Sequence, residues 1–524
     1  MLIVGVGGIL REAAAAVLRD GELVAAIEQD KLRRHRPGSL PFEAVDACLR
    51  LAGAKAVQVD WVMLARPLGT GSEAQLHLDV KSLFPRARVR VVDHHLAHAA
   101  SAYYVSGFDR ATVLTLDRTG DLRCGARWQA EGARLTLQEE LYAPDSPADL
   151  YGRVGELLGF RAGSEEHKVQ WLSAAGEPVW AGLFREVMGT NAHGWPSFDR
   201  SYFEYGRNTA GGFSEKFYAR LGVAGPEEIH TPMRVDLAAS VQRAVEQMVL
   251  EMAGTGDNLC LAGGLALNAL VVAALEQSGH YGRVFVQPAA SNAGTALGAV
   301  LYGWHHAAGR SERVPAGNLC YGPGFDREQI KKVLENCKLR FRVLLTTGEL
   351  IDTAVARLAD RHIVAWFQGR TEFGPRALGN RSILASPLNP YSTENLNVYI
   401  KHREPFRKFA ASVPAEAAAE YFDCGENARF LATVSRVRPA HRGCFEAALL
   451  GGDWIRVQVV HREDNPLYWE LLQAAGRSSG LPVLYNTSFN LFGEPLVSDP
   501  RDAVRSFYSS GIDAMFVGNF LLEK

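Results

Sequence analysis

The stretch that decides the fold is LIVGV (2–6), followed by AAAAVLRDGELVAAI (13–27). Its three apolar runs, at 2–6, 13–18 and 23–27, have the length of strands, and Asp20-Gly21 between the last two is a hairpin dipeptide. The pattern returns downstream. ATVLTL (111–116) reads as a strand, residues 117–121 as a turn rich in acid and glycine, and residues near 126–129 as the next strand. Two such hairpin units with helices behind them predict a duplicated α/β architecture.

Further along, residues 237–253 carry apolar positions at helical spacing. NLCLA (258–262) reads as a buried strand, broken by Gly263-Gly264, with a helix over 266–275. A strand at 284–286 and a helix at 295–302 continue the alternation. The turn cluster YGPG (321–324) marks a boundary. Beyond it the pattern predicts a helix over 327–335, strands at 342–345, 363–367 and 482–485, and a separate α/β domain. The expected division is 1–325 and 326–524.

Bulk properties narrow the function. At 524 residues the chain is too long for one core, and 47% hydrophobic content suits globular domains. Lysine and arginine number 56 against 58 acids, so no basic surplus points to nucleic acid. No run of about 18 apolar residues predicts a membrane span. Seven scattered cysteines without a C-x-x-C pair argue against structural zinc and read as reduced thiols. The N-terminus reads as a strand and not as a signal peptide, so the expected location is cytoplasmic.

Three motifs carry chemistry. In DHHLAHAA (93–100), His94 and His98 stand four apart and share a helix face, so both imidazoles can reach one ion. Asp117, at the end of the following strand, is the natural acidic partner; the same pair also suits a packed helix start. Next, GGLALN (263–268) and NAGTALG (292–298) place Gly263, Gly264, Asn268 and Gly294 where backbone N–H groups can approach a phosphate or ribose. Tight strand–helix packing explains those glycines equally well. Most informative is GRTEFGPRALGNRS (369–382) with KHREPFRK (401–408). Glycines that free backbone amides, interleaved with guanidinium forks, are what a phosphate or carboxylate requires. NTSFN (486–490) adds neutral donors after the strand expected at 482–485.

These residues resemble a known family. DHHLAHAASAYY (93–104), AGGLALN (262–268), AGTALGA (293–299), EFGPRALGNRSILASP (372–387), IKHREPFRKFAASV (400–413) and YNTSFNLFGEPLV (485–497) are similar, in order, to the O-carbamoyltransferases of antibiotic and nodulation-factor biosynthesis. The resemblance implies an N-terminal duplicated actin-like domain, of the tRNA-threonylcarbamoyltransferase type, fused to a C-terminal YrdC-like α/β domain. It implies that ATP and carbamoyl phosphate form carbamoyl-adenylate in the C-terminal domain. The carbamoyl group then passes to a hydroxyl, or an amine, of a small-molecule acceptor. Arg376, Lys401 and Arg407 would hold carbamoyl phosphate, with Arg381, Asn486 and Ser488 beside them. His94, His98 and Asp117 would ligate a divalent metal, iron in the family, and relatives suggest a homodimer.

The chain departs from the family pattern at three places. Arg11-Glu12 stands where relatives carry a His-Asp pair, which puts Arg11 among the expected catalytic residues. Arg118 follows Asp117 in place of glycine. Asn292 replaces an aspartate that would be the fourth metal ligand; an amide oxygen still ligates a hard cation, with one negative charge fewer. These departures motivate a second reading, a diverged paralogue that binds the same ligands and partners an active enzyme. The acceptor would be met by the stretch from about 151 to 232, where Trp171, Trp180, Trp195, Phe198 and Tyr202 are candidates for a pocket or for the core.

Overall fold

The computed structural model describes all residues except 67–72, 121, 205–209, 314–316 and 492, and the side chains at 73 and 210 are also left aside. Asp121 of the expected acidic turn and Phe492 of the last motif therefore lie outside the described residues. Contact density divides the chain into two units. One comprises 1–63, 72–90 and 316–524; the other comprises 64–71 and 91–315. This grouping puts residues 1–63 together with residues 316–524.

The first sheet holds β1 (Leu2–Gly7), β2 (Ala14–Arg19), β3 (Glu22–Glu28), β4 (Trp61–Arg66) and β5 (Arg88–Asp93), in the order β3-β2-β1-β4-β5. The hairpin of β2 and β3 turns where Asp-Gly predicted. Arg19 faces Glu22, and Asp20 and Gly21 take φ of 48° and 91°. The second unit repeats the plan. It contains β6 (Arg110–Leu116), β7 (Arg123–Glu131) and β8 (Arg134–Tyr142), then a small hairpin of β9 (Met188–Thr190) and β10 (Pro196–Phe198). Then come β11 (Gly256–Ala262) and β12 (Tyr281–Val286). The main sheet has the order β12-β11-β6-β7-β8, with an antiparallel meander first and two parallel strands added on its other side. Two sheets of one strand order are the duplicated actin-like arrangement.

The C-terminal part is also α/β. An eight-stranded mixed sheet runs β13-β23-β22-β14-β15-β21-β16-β20. Its members are β13 (Arg342–Val343), β14 (Val364–Phe367), β15 (Arg381–Ala385), β16 (Ala410–Pro414), β20 (Val457–Val460), β21 (Leu484–Ser488), β22 (Ala514–Val517) and β23 (Phe520–Glu523), while β17 (Phe422–Asp423), β18 (Ser435–Val437) and β19 (Trp454–Ile455) form a side sheet. Strand alternation builds two cores from one sheet. Val364 and Trp366 of β14 pack with Leu471 of the helix Pro466–Ser479, whereas Ala365 and Phe367 pack on the other side with Phe507.

Two expectations shift. The helix expected over 266–275 begins at Ala269, because the Asn268 side chain caps it, accepting from the N–H groups of Leu270 and Val271. Asn486 and Ser488 lie on β21 and not beyond it. Among the described residues no helix is long and apolar enough to cross a membrane.

Candidate functional site

In the first unit, three chain segments bring five cations together. Arg376 comes from the loop between β14 and β15, and Lys401, Arg403 and Arg407 come from the segment after the π-helical turn Asn395–Ile400. Arg456 sits at the junction of β19 and β20. Burial pushes the Arg376 guanidinium down to about 10, and Arg407 nearby pushes the same way. Arg403 falls to about 9 through burial and Arg407, with only Glu404 opposing. Lys401 lies well below its ordinary value because it is buried beside Arg403 and Arg407, and Arg456 likewise through burial and Arg376. Clustered, desolvated cations that disfavour one another are suited to receive an anion.

Neighbouring polar groups fix this cage. The Asn397 Oδ1 accepts from Arg403 Nε at 2.6 Å, and Arg456 Nη2 donates to Leu431 O at 2.7 Å. Lys401 Nζ donates to the carbonyls of Ser488 and Asn490 and to Asn490 Oδ1, the latter two at 2.8 Å. Those are three neutral acceptors for three N–H bonds. Ser488 Oγ donates to the same Asn490 Oδ1 at 2.7 Å. Asn486 Nδ2 donates to Gln458 Oε1 at 3.0 Å and to Ala377 O at 3.3 Å. Asn486 and Ser488, two apart on β21, thus share a sheet face toward the loop that carries Arg376.

Arg381 plays a different part. Fully buried, it donates to the carbonyls of Gln368, Asn380, Pro323 and Gly369, and its guanidinium lies 3.6 Å from the centroid of Phe367. Burial lowers it to about 10. Its donors face loop carbonyls, so it shapes the Arg376 loop from within. Sequence reasoning did not single out Arg403 and Arg456 as ligand-binding candidates. Arg456 interrupts the apolar run WIRVQVV (454–460), a misplaced charge that was the available signal.

In the second unit, Asp93 caps the helix His94–Tyr103 by accepting from Leu96 N. That cap sets the helix start so that His94 and His98 face the end of β6. His94 Nε2 lies 2.6 Å and His98 Nε2 3.1 Å from the same atom, Asp117 Oδ2, while Gly264 N donates to Oδ1 at 2.5 Å. Burial raises the Asp117 carboxyl, but His98 and His94 outweigh it and hold the group well below its ordinary range. Two imidazole nitrogens converging on one buried carboxylate oxygen fit a divalent transition metal. His95 belongs to the same buried group as His94 and Asp117, but both its ring nitrogens are engaged, Nδ1 2.8 Å from Thr115 Oγ1 and Nε2 2.8 Å from Arg123 O. Burial pushes it down to about 3, so it stands as a neutral partner that fixes the helix.

Other predicted residues fall as follows. Gly263, at φ 92°, approaches Leu116 so closely that a Cβ would lie 2.4 Å from its carbonyl oxygen; Gly264 supplies the N–H to Asp117. Both glycines shape the histidine cluster. Asn268 bonds Gln242, whose Oε1 also accepts from Tyr151 at 2.7 Å. Gly294 begins the helix Gly294–His306, and Asn292 O accepts from Thr295 Oγ1 at 2.6 Å. Arg11 is exposed on the loop between β1 and β2 in the first unit. Arg118 turns to carboxylates, 2.8 Å from Asp149, 3.0 Å from Glu156 and 3.6 Å from Glu166. Gly152 leaves room for it, since a Cβ there would lie 3.1 Å from the guanidinium carbon. Trp171, Trp195, Phe198 and Tyr202 are buried core, and Trp180 is partly exposed.

Comparison with known proteins covers both clusters. The family described as carbamoyltransferase N-terminus matches residues 71–301, and that described as carbamoyltransferase C-terminus matches 355–524. The uncharacterized protein sll1178 of Synechocystis is 33% identical, covering 100% of this chain and 96% of its own length. Nodulation protein NolNO of Sinorhizobium fredii is 32% identical over 98% of this chain and 79% of its own. The 3'-hydroxymethylcephem-O-carbamoyltransferase of Amycolatopsis lactamdurans is 30% identical over 59% and 56%. With the histidine cluster inside one match and the cation cage inside the other, the chain belongs to the O-carbamoyltransferase family and is a carbamoyltransferase.

Proposed function

We propose that this carbamoyltransferase uses ATP and carbamoyl phosphate to make carbamoyl-adenylate, then carbamoylates a hydroxyl or amine of a small acceptor. The observation that carries the proposal is the cage itself. Five buried or half-buried cations, with one carboxylate nearby, call for a multiply charged anion. Arg376 and Arg407 would neutralise the phosphoryl oxygens, Arg403 and Arg456 would add to the field, and Asn486 and Ser488 would orient the neutral carbamoyl end. All three Lys401 N–H bonds are engaged, so Lys401 acts on the anion through its charge unless one bond is released.

The atoms balance as follows. Water releases the phosphoryl group of carbamoyl phosphate as inorganic phosphate, leaving carbamate. A carbamate oxygen attacks the α-phosphorus of ATP, and pyrophosphate leaves. The acceptor heteroatom then attacks the carbamoyl carbon, the mixed-anhydride C–O bond breaks, AMP leaves, and the acceptor proton passes to a base. The cage lowers the charge cost of bringing two polyanions together. His94, His98 and Asp117 would hold a divalent metal, which supplies a Lewis acid when bound. His95 and Gly264 keep that set aligned through their bonds to Thr115, Arg123 and Asp117. Arg118, paired with three carboxylates, directs its charge to them.

The test is pyrophosphate release from ATP with and without carbamoyl phosphate, with mass spectrometry of the adenylate and of products from candidate acceptors. Release that needs carbamoyl phosphate, with one inorganic phosphate per pyrophosphate, is expected. Release independent of carbamoyl phosphate, or unchanged in Arg376→Ala, would overturn the assignment.

A further inference from the structure

The loop that carries Arg376 is fastened on both sides. After it, Leu378 O accepts from Gln458 at 2.9 Å, and Ala377 O accepts from Asn486 at 3.3 Å. From within, the fully buried Glu372 accepts through Oε1 from the N–H groups of Leu378, Asn380 and Arg381 at 2.8, 2.9 and 3.1 Å. Before it, the fastening comes from a part of the chain more than three hundred residues away. Lys31 Nζ donates to Glu372 O at 2.8 Å and to Gly374 O at 2.7 Å. Glu28 Oε1 accepts from Gly374 N at 2.7 Å, and its Oε2 pairs with Lys31 at 2.9 Å.

Each element of this latch has a local cause. Glu28 ends β3, and the short 3-10 turn Gln29–Lys31 brings Lys31 back over it. Gln29, buried, holds that turn: it accepts from Ala44 N and donates to Glu43 and to Arg33 O. On the loop side, Gly374 has φ 106°, a backbone state that an L residue rarely adopts. Phe373, fully buried, donates its N–H to Leu319 O at 2.7 Å. The side chains of Lys31 and Glu28 are only 9% and 12% exposed, so water competes weakly for these bonds. Pro375 and Arg376 are thus the one short span between two anchored points, and Arg376 faces repulsion from Arg407 at its end.

We infer that Lys31 and Glu28 are positioning residues that hold the Arg376 loop in its anion-binding geometry. The inference rests on the proposed role of Arg376 at an anion site. A guanidinium pushed away by neighbouring cations stays in place only if its backbone is held. Releasing the first anchor lets the loop relax outward, and losing a guanidinium hydrogen bond to a charged ligand costs about 10-fold or more in affinity. The latch adds no group to the anion, so its loss weakens binding and spares chemistry at saturating ligand.

The experiment uses the full chain with Lys31→Met, Lys31→Arg and Glu28→Gln, each also placed on Arg376→Met. The first readout is calorimetric affinity for inorganic phosphate, which needs no turnover. The second is KM for carbamoyl phosphate against kcat in pyrophosphate release. Expected are a fall in phosphate affinity and a rise in KM of about tenfold or more in Lys31→Met, with kcat within about threefold. Lys31→Arg should be intermediate, and on Arg376→Met the latch changes should cost little more. Unchanged phosphate affinity, a loss in kcat alone, or full additivity with Arg376→Met would overturn the latch. Should Lys31→Met fail to fold, Glu28→Gln decides by the same criteria. Wild-type protein that binds phosphate but releases no pyrophosphate would count against the proposed reaction, while the affinities still judge the latch.

Discussion

Replacing Arg376 by methionine should make the protein more stable and less able to bind its anion. The side chain is half-buried, and its charge is opposed by burial and by Arg407, with no acid among the causes acting on it. The drop of its pKa to about 10 corresponds to about 3 kcal/mol between protonation states. Water that reaches the side chain screens much of this, and about 1 kcal/mol is the working figure. Removing that strain should raise Tm by about 2 °C in the ligand-free protein. Against it, a guanidinium donating to a phosphate contributes about 1.5–3 kcal/mol, so phosphate affinity should fall about 10- to 150-fold. Thermal melts with and without carbamoyl phosphate read the first sign, and calorimetry with inorganic phosphate reads the second. A lowered Tm together with wild-type phosphate affinity would show that Arg376 is an ordinary structural arginine.

Three further outcomes follow from named contacts. Arg118→Ala leaves Asp149, Glu156 and Glu166 without their shared cation, so stability should fall by about 1–2 kcal/mol, less at high salt, in melts at two ionic strengths. Gly298→Ala would put a Cβ 1.7 Å from Ala97 O, where the helix Gly294–His306 meets the helix carrying His94 and His98. We expect a loss above about 3 kcal/mol, seen as little folded protein; a wild-type melt would mean those helices part easily. His305 is held below its ordinary value by burial, with Nδ1 2.8 Å from Arg310 O. The unfolded chain takes up that proton first, so its contribution is present above about pH 6.5 and lost as pH falls. His305→Gln should flatten the Tm profile between about pH 7 and 5.

Local chemistry made the sheets legible. Strand-length apolar runs and Asp20-Gly21 are read within a few residues, and β1 to β3 and β6 to β7 sit where they predicted. Dense glycine and arginine likewise exposed the Arg376 loop. What escaped was anything assembled across the chain. Arg456 belongs with Arg376 only because β20 lies beside β16 in the C-terminal sheet, which no short motif encodes. Arg381 reads like Arg376 in sequence, yet one faces four carbonyls and the other faces cations. Arg118 stood out in the sequence only as a replacement for glycine, and its partners, on the helices Pro147–Leu157 and Glu166–Ser173, lie about 30 to 50 residues further along. The Asn486 and Ser488 donors were placed one strand-end too late, because strand ends are weakly marked when polar residues continue the pattern.

The interrupted course of the first unit bears on how the chain is made. Residues 1–63 share their unit with residues from 316 onward, whereas 91–315 belong to the other. During synthesis the strand LIVGVG and the rest of residues 1–63 precede the remainder of their unit by the whole of residues 91–315. At about 5–20 residues per second that wait lasts on the order of tens of seconds, long enough for the middle unit to fold ahead of it. Lys31 and Glu28, meanwhile, have no loop to hold. Residues 1–63 thus wait for residues that are made much later, and a ribosome stalled before residue 316 would leave them without the rest of their unit.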